Sequence, residues 1–161
     1  MLLSNRSKLI GIKVIKLKVS TKGRYGLKAV VDLAINQDNG MISIKSIAQR
    51  QGISENYLEQ LFASLKKSAI IKSVRGAQGG YMLARPADRI TVGDVLRSLE
   101  GALCPVECMD FEYPTECEKS ETCVTAPVWA KLRDKVNEVV DSIKISDLVK
   151  DYEIKTKKVS K

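Results

Sequence analysis

The fold turns on Ile53-Ser54-Glu55-Asn56-Tyr57-Leu58-Glu59-Gln60-Leu61-Phe62-Ala63-Ser64-Leu65 and, a few residues on, Arg75-Gly76-Ala77-Gln78-Gly79-Gly80-Tyr81. Ser54 is suited to cap a helix, and Leu58, Leu61, Phe62 and Leu65 recur at helical spacing to make one apolar face. The opposite face carries Glu55, Asn56, Glu59 and Gln60. Just upstream, Ser43 caps a shorter segment in which Ile44, Ile47 and Ala48 point inward, and Gly52 breaks it. Two short helices joined by a glycine turn predict a helix-turn-helix, whose second helix fits a DNA major groove about 12 Å wide. An ordinary helical hairpin shares that pattern, so the residues that follow decide between them. Ile70 to Arg75 reads as a strand, Gly76 to Gly80 as a tip and Tyr81 to Ala84 as a returning strand, which together predict a wing. Arg75 at its edge and Gln78 at its tip are placed to reach phosphates or an adjacent minor groove.

Working outward, Leu27, Val30, Val31, Ala34 and Ile35 predict a helix over Arg24 to Asn36 that ends at the turn Asn39-Gly40. Thr91-x-x-Asp94 has capping-box spacing and opens a helix with Val92, Val95, Leu96 and Leu99 inward, closed by Gly101. The expected fold class is therefore mainly α with a small β-wing. A winged helix-turn-helix domain spans 18–101, preceded by an extension over 1–17 that has no cap and no clean period. Residues 102–124 form a cysteine-rich loop. From Thr125 and Pro127 a longer helix begins, with Val128, Leu132, Val136, Val139, Val140 and Ile143 as a stripe. That stripe needs a covering surface, either within the chain or on the same helix of a second copy in a two-fold homodimer. The helical region 125–150 is expected to include a short turn at Ser146 to Asp151, with 151–161 as a flexible tail.

The 161 residues carry a net charge of +8, unevenly placed. Residues 1–17 hold four basic groups and no acid, 18–100 hold thirteen against seven, and 101–161 hold ten against twelve. A basic front half suggests a nucleic-acid module, although a solvated basic surface reads the same way. No apolar run approaches the roughly 20 residues of a membrane span. With no cleavage-site pattern either, a cytoplasmic location is expected, where four cysteines suggest a metal or redox site. The first hundred residues offer no nucleophile–base pair, phosphate cradle or cofactor fingerprint, so neither an enzyme nor a small-molecule substrate is expected.

The cysteines run Cys104-x3-Cys108-x8-Cys117-x5-Cys123. Glu107, Asp110, Glu112, Glu116, Glu118 and Glu121 lie among them, opposed by Lys119 alone. Such negative charge disfavours free thiolates, whereas a bound metal centre holds thiolates deprotonated. An iron–sulfur cluster, a structural zinc and reversible disulfides all suit these residues.

Three segments, Ser20-Thr21-Lys22-Gly23-Arg24-Tyr25, Ile53-Ser54-x-x-Tyr57-Leu58-Glu59-Gln60-Leu61 and Val74-Arg75-Gly76-x-x-Gly79-Gly80-Tyr81, closely resemble the IscR, NsrR and CymR family of bacterial repressors. The resemblance spans residues 18 to about 143 and implies dimeric winged-helix regulators of transcription that bind double-stranded DNA at a palindromic operator. It places Ser54, Asn56, Tyr57, Glu59 and Gln60 in the major groove and Arg75 in the minor groove. The chemistry agrees: Gln pairs bidentately with adenine, Glu accepts from the cytosine amino group, and Tyr and Ser hold phosphates. It also implies a cluster held by Cys108, Cys117 and Cys123, with 2Fe–2S favoured over 4Fe–4S and zinc as the lesser alternative. Two departures stand out. The first two cluster cysteines lie closer together in the family than Cys108 and Cys117 do here, and the family's histidine ligand falls at Ala126 in a chain without histidine. Cys104 is the candidate fourth thiolate. Sensing of cluster, redox or nitric oxide status is the implied function. A CymR-like repressor of sulfur metabolism using thiol chemistry or a partner protein is the alternative, and a small electron carrier is the reading from another class.

Overall fold

The computed structural model describes residues 19–76, 78–110 and 120–159. Six helices, α1 (Thr21–Asn36), α2 (Ile44–Gln51), α3 (Glu55–Lys67), α4 (Val92–Glu100), α5 (Ala126–Ser142) and α6 (Ile145–Val159), accompany strands β1 (Ile71–Val74) and β2 (Gly80–Leu83). This is a mainly helical winged helix-turn-helix. Each early helix starts where a side chain satisfies its first free amides. Ser20 accepts from Lys22 and Gly23, Ser43 from Ser46 and Ser54 from Tyr57, while Thr91 and Asp94 close a reciprocal capping box. Gly52 ends α2 in the left-handed conformation (φ 63°), so that its N–H returns to the Ala48 carbonyl.

α1 starts at Thr21, earlier than the expected Arg24, because Ser20 is its cap. Its buried set also differs. Ala29, Val30, Leu33 and Ala34 are inside, whereas Leu27 and Val31 are half-buried against the core. The reason is tertiary: α1 is the central helix, packed on α2, α3, α4 and α6, so more than one stripe is covered. Phe62, Leu33, Ile47, Leu58, Leu61, Leu65, Ile70, Ile71 and Ile90 fill the space between these elements.

The wing is antiparallel, with Ile71 opposite Leu83 and Val74 opposite Gly80. Ile42 extends it through paired bonds with Tyr81, whose N–H reaches the Ile42 carbonyl at 2.8 Å and whose carbonyl takes the Ile42 N–H at 3.0 Å. The chain after the loop returns to the same core. Val92 N–H bonds Ile143 O and Ile145 N–H bonds Ile90 O, both at 2.9 Å, and Ile145 is fully buried. A boundary at Gly101 therefore does not enclose the whole core. The expected short turn and flexible tail are instead one continuous helix, α6, through Val159, anchored at its start by Ile145, Leu148 and Val149. No residue of α5 is buried, and Val128 and Val139 are each 57% exposed. Among the described residues no helix is long and apolar enough to cross a membrane.

Candidate nucleic-acid interface and cysteine loop

Burial of Leu58, Leu61, Phe62 and Leu65 turns the other face of α3 to solvent, and there Asn56, Glu59 and Gln60 stand exposed. Glu59 has no ion-pair partner among the described residues. Ser54 is exposed too, with its oxygen taking the Tyr57 N–H at 3.3 Å, which leaves its hydroxyl proton free to donate. Tyr57 is half-buried. Its ring meets Tyr25 edge to face at 6.2 Å, so packing sets the direction of its phenol.

The wing root is tied to α3 by Phe62 and Tyr81, whose rings stack edge to face at 4.7 Å. Its tip depends on glycine. Gly76 has φ 124°, and a Cβ at Gly79 would lie 2.3 Å from the Val74 carbonyl oxygen. Arg75 and Gln78 project from this turn and are exposed; Ala77 between them lies outside the described residues.

Three positioning residues escaped the sequence reading. Asp32 of α1, 3% exposed, accepts from Arg50 Nε at 2.9 Å, Arg50 Nη2 at 2.5 Å and Gln51 Nε2 at 2.8 Å, pinning the end of α2 to α1. The carboxylate in turn raises the Arg50 pKa above the ordinary guanidinium value. Glu100, the last residue of α4, accepts from Ser20 Oγ at 2.5 Å and the Gly23 N–H at 2.8 Å. A Cβ at Gly23 would lie 2.4 Å from that carboxylate oxygen. Tyr25 is the third, through its contact with Tyr57. Asp32 left a trace in the sequence as a lone acid in α1, and Tyr25 stood in the Ser20–Tyr25 segment that carries the resemblance, but neither contact was legible there.

The first part of the cysteine loop, around Glu107–Met109, packs on α5. Cys104, Cys108 and Cys123 are free and half-buried, and Cys117 lies outside the described residues. Cys104 Sγ donates to the Val106 carbonyl at 3.2 Å and lines a cleft of about 310 Å³ with Arg97, Met109, Arg133 and Asn137. Arg97 reaches across to Asn137 Oδ1 (2.9 Å) and Asp141, Asn137 donates to Leu103 O (3.2 Å), and Arg133 donates to Met109 O (3.1 Å). The Asn137 and Arg133 bonds bind both ends of the Leu103–Met109 segment to α5, and Arg97 joins α4 to α5. Cys123 sits at the start of α5. Its thiol is pulled below its ordinary pKa, chiefly by the Thr125 hydroxyl 3.4 Å away and then by the Thr125 N–H. At Cys123, then, hydrogen bonding at the start of α5 outweighs the desolvation that raises the thiol. Among the described residues no three Cys, Asp or Glu side chains converge as a metal site.

The chain matches the sequence profile of Rrf2, described as an iron-dependent transcriptional regulator, over residues 19–151. It belongs to the Rrf2 family of transcriptional regulators. Its similarity to the HTH-type transcriptional regulator CymR of Bacillus subtilis is 46% identity over 132 residues, covering 82% of this chain and 89% of CymR. Among solved structures, T. potens IscR is 48% identical with a TM-score of 0.69, covering 86% of this chain and 90% of that one. The structure of CymR, the global cysteine regulator of B. subtilis, is 44% identical with a TM-score of 0.68, covering 83% of this chain and 96% of that one. Membership in Rrf2 accounts for the winged fold and places the chain among regulators of transcription, a family that is not enzymatic.

Proposed function

We propose that this Rrf2 regulator is a homodimeric, sequence-specific repressor in which the α3 face of Ser54, Asn56, Tyr57, Glu59 and Gln60 reads the major groove of a palindromic operator. Arg75 and Gln78 contact the flanking minor groove or backbone. The observation that carries the reading is the exposed polar face of α3 beside a wing whose root is packed against the same helix. Homodimerisation is supported by α5, whose apolar stripe includes Val128 and Val139 exposed within one chain.

The cysteine loop is the signal receiver in this reading. Iron–sulfur clusters take thiolate donors, and Cys108, Cys117 and Cys123, with Cys104 as the fourth candidate, supply that donor type. When bound, the cluster supplies a redox- and nitric-oxide-responsive centre. The chain's own residues then pass the change on, because Arg133 and Asn137 tie Met109 and Leu103 of the loop to α5 and Arg97 ties α5 to α4. The test is an anaerobic preparation examined by absorption and by gel shift on the protein's own promoter. Visible absorption lost on Cys108→Ala, Cys117→Ala or Cys123→Ala supports the cluster, and Cys104→Ala decides the fourth ligand. A colourless anaerobic protein with full operator binding refutes it.

A second reading, direct thiol switching, is favoured by one observation: Cys123 is held toward its reactive thiolate form. Its likeness to CymR, named a cysteine regulator, points the same way. A colourless protein whose operator binding changes on thiol oxidation supports this version.

A further inference from the structure

We propose that the first two turns of α1 form a separate DNA-backbone contact, in which Arg24 and Lys28 hold phosphates on the ridge beside the groove read by α3. The proposal rests on the DNA-binding reading above and adds a surface to it. Thr21, Arg24, Tyr25 and Lys28 stand at positions i, i+3, i+4 and i+7, so they form one face of the helix. The side chains lie together on that face. Arg24 Nη2 is 3.4 Å from Thr21 Oγ1, and Lys28 Nζ lies 5.7 Å from the centre of the Tyr25 ring. Tyr25 meets Tyr57 of α3, which places this stripe against the amino-terminal end of the reading helix, the end that carries Ser54 and Asn56.

Charge points to the ligand. Thr21, Arg24 and Lys28 are exposed, and neither cation has a carboxylate partner among the described residues. The nearby acids are engaged elsewhere: Asp32 is buried on Arg50 and Gln51, and Glu100 is bonded to Ser20 and the Gly23 N–H. A helix inserted in a major groove is bordered on both sides by phosphates, so unpaired cations beside its leading end meet a polyanion. Arg24 contributes a forked donor and Lys28 a point charge, which are two ordinary ways of holding phosphate oxygens. Tyr25 is the positioning residue. It supports the Lys28 ammonium on its face while its ring packs on Tyr57.

The experiment measures binding of wild type and the Arg24→Gln/Lys28→Gln double variant to a duplex from the protein's own promoter and to a random duplex, across a salt series. Each lost phosphate contact lowers the slope of log K against log salt by about 0.9, so the double variant is expected to lose roughly 2 per protomer. Affinity should fall by the same factor, on the order of tenfold or more, on both duplexes. The Arg24→Lys/Lys28→Arg variant keeps the charge and should keep the slope. The Lys157→Gln/Lys158→Gln variant, matched in charge at the exposed end of α6, should also keep it. A melting curve confirms that each variant is folded. An unchanged slope in the double variant overturns the proposal and shows that the stripe serves another acidic partner or none. A loss confined to the promoter duplex also overturns it, because that is base readout. A wild-type protein that binds neither duplex refutes the DNA-binding reading itself, and the proposal with it.

Discussion

Replacing Asp32 with alanine tests how α2, the helix that precedes α3, is held against α1. The carboxylate is 3% exposed and accepts three strong hydrogen bonds, two from Arg50 and one from Gln51. Removing one member of a fully buried ion pair costs about 3–5 kcal/mol, because the other charge stays buried and unpaired. Here the Arg50 side chain is 39% exposed and can turn to water, which removes much of that penalty. What remains is the loss of three hydrogen bonds at about 0.5–1.5 kcal/mol each, offset by the desolvation that the missing carboxylate no longer suffers. The net expectation is a destabilisation of about 2–3 kcal/mol, measured by urea unfolding. At roughly 2–4 °C per kcal/mol for a chain of this size, the Tm should fall by about 4–12 °C. A double-mutant cycle with Arg50→Met should return a coupling of about 1–2 kcal/mol, since the arginine left alone in Asp32→Ala is absent from the double variant. A cost under about 0.5 kcal/mol, or strict additivity in the cycle, refutes the claim that this pair pins α2 to α1.

Glu100→Ala should destabilise by about 1 kcal/mol through loss of its bonds to Ser20 and Gly23, whereas Gly23→Ala should be worse because the new Cβ meets the Glu100 carboxylate; thermal melts rank the two. Gln60→Ala or Glu59→Ala should cost about 1–3 kcal/mol on the cognate operator with little change on random DNA, and equal losses on both remove them from base readout. Arg75→Ala should weaken binding most where an A·T-rich tract flanks the half-site, and an effect independent of that flank counts against a minor-groove role. The Cys123 thiol is depressed, so its thiolate persists to lower pH than an ordinary thiol: alkylation at this site should rise with pH through a midpoint below that range. Any stability drawn from the depressed thiol is present above the unfolded pKa and lost as pH falls through the folded one. Thr125→Ala, which removes the main cause, should move the alkylation midpoint upward, and an unmoved midpoint disproves that cause.

Local chemistry made the helix-turn-helix legible. Ser43, Ser54 and Thr91 are caps wherever they stand before an apolar helical period, and Gly52 is a left-handed stop, because caps and stops depend on neighbours a few residues away. The apolar period of α3 determined which residues point outward, so Asn56, Glu59 and Gln60 could be named from spacing alone. The wing glycines were equally visible as a turn, although their close approaches to Val74 and Ile42 were not. Contacts between residues far apart in the chain had no such signature. Ile145 enters the core through bonds to Ile90, Glu100 caps a helix 77 residues upstream at Gly23, and Arg50 finds Asp32 across 18 residues. Periodicity describes one helix at a time, and it misjudged α1 because that helix is covered from several sides. The tail was misread for a related reason: a polar run lacks the apolar stripe that announces a helix, yet Ile145, Leu148 and Val149 anchor α6 on the core and the polar turns propagate from that start. The thiol at Cys123 was likewise decided by structure, since the Thr125 hydroxyl 3.4 Å away lowers it through a contact that spacing alone does not reveal.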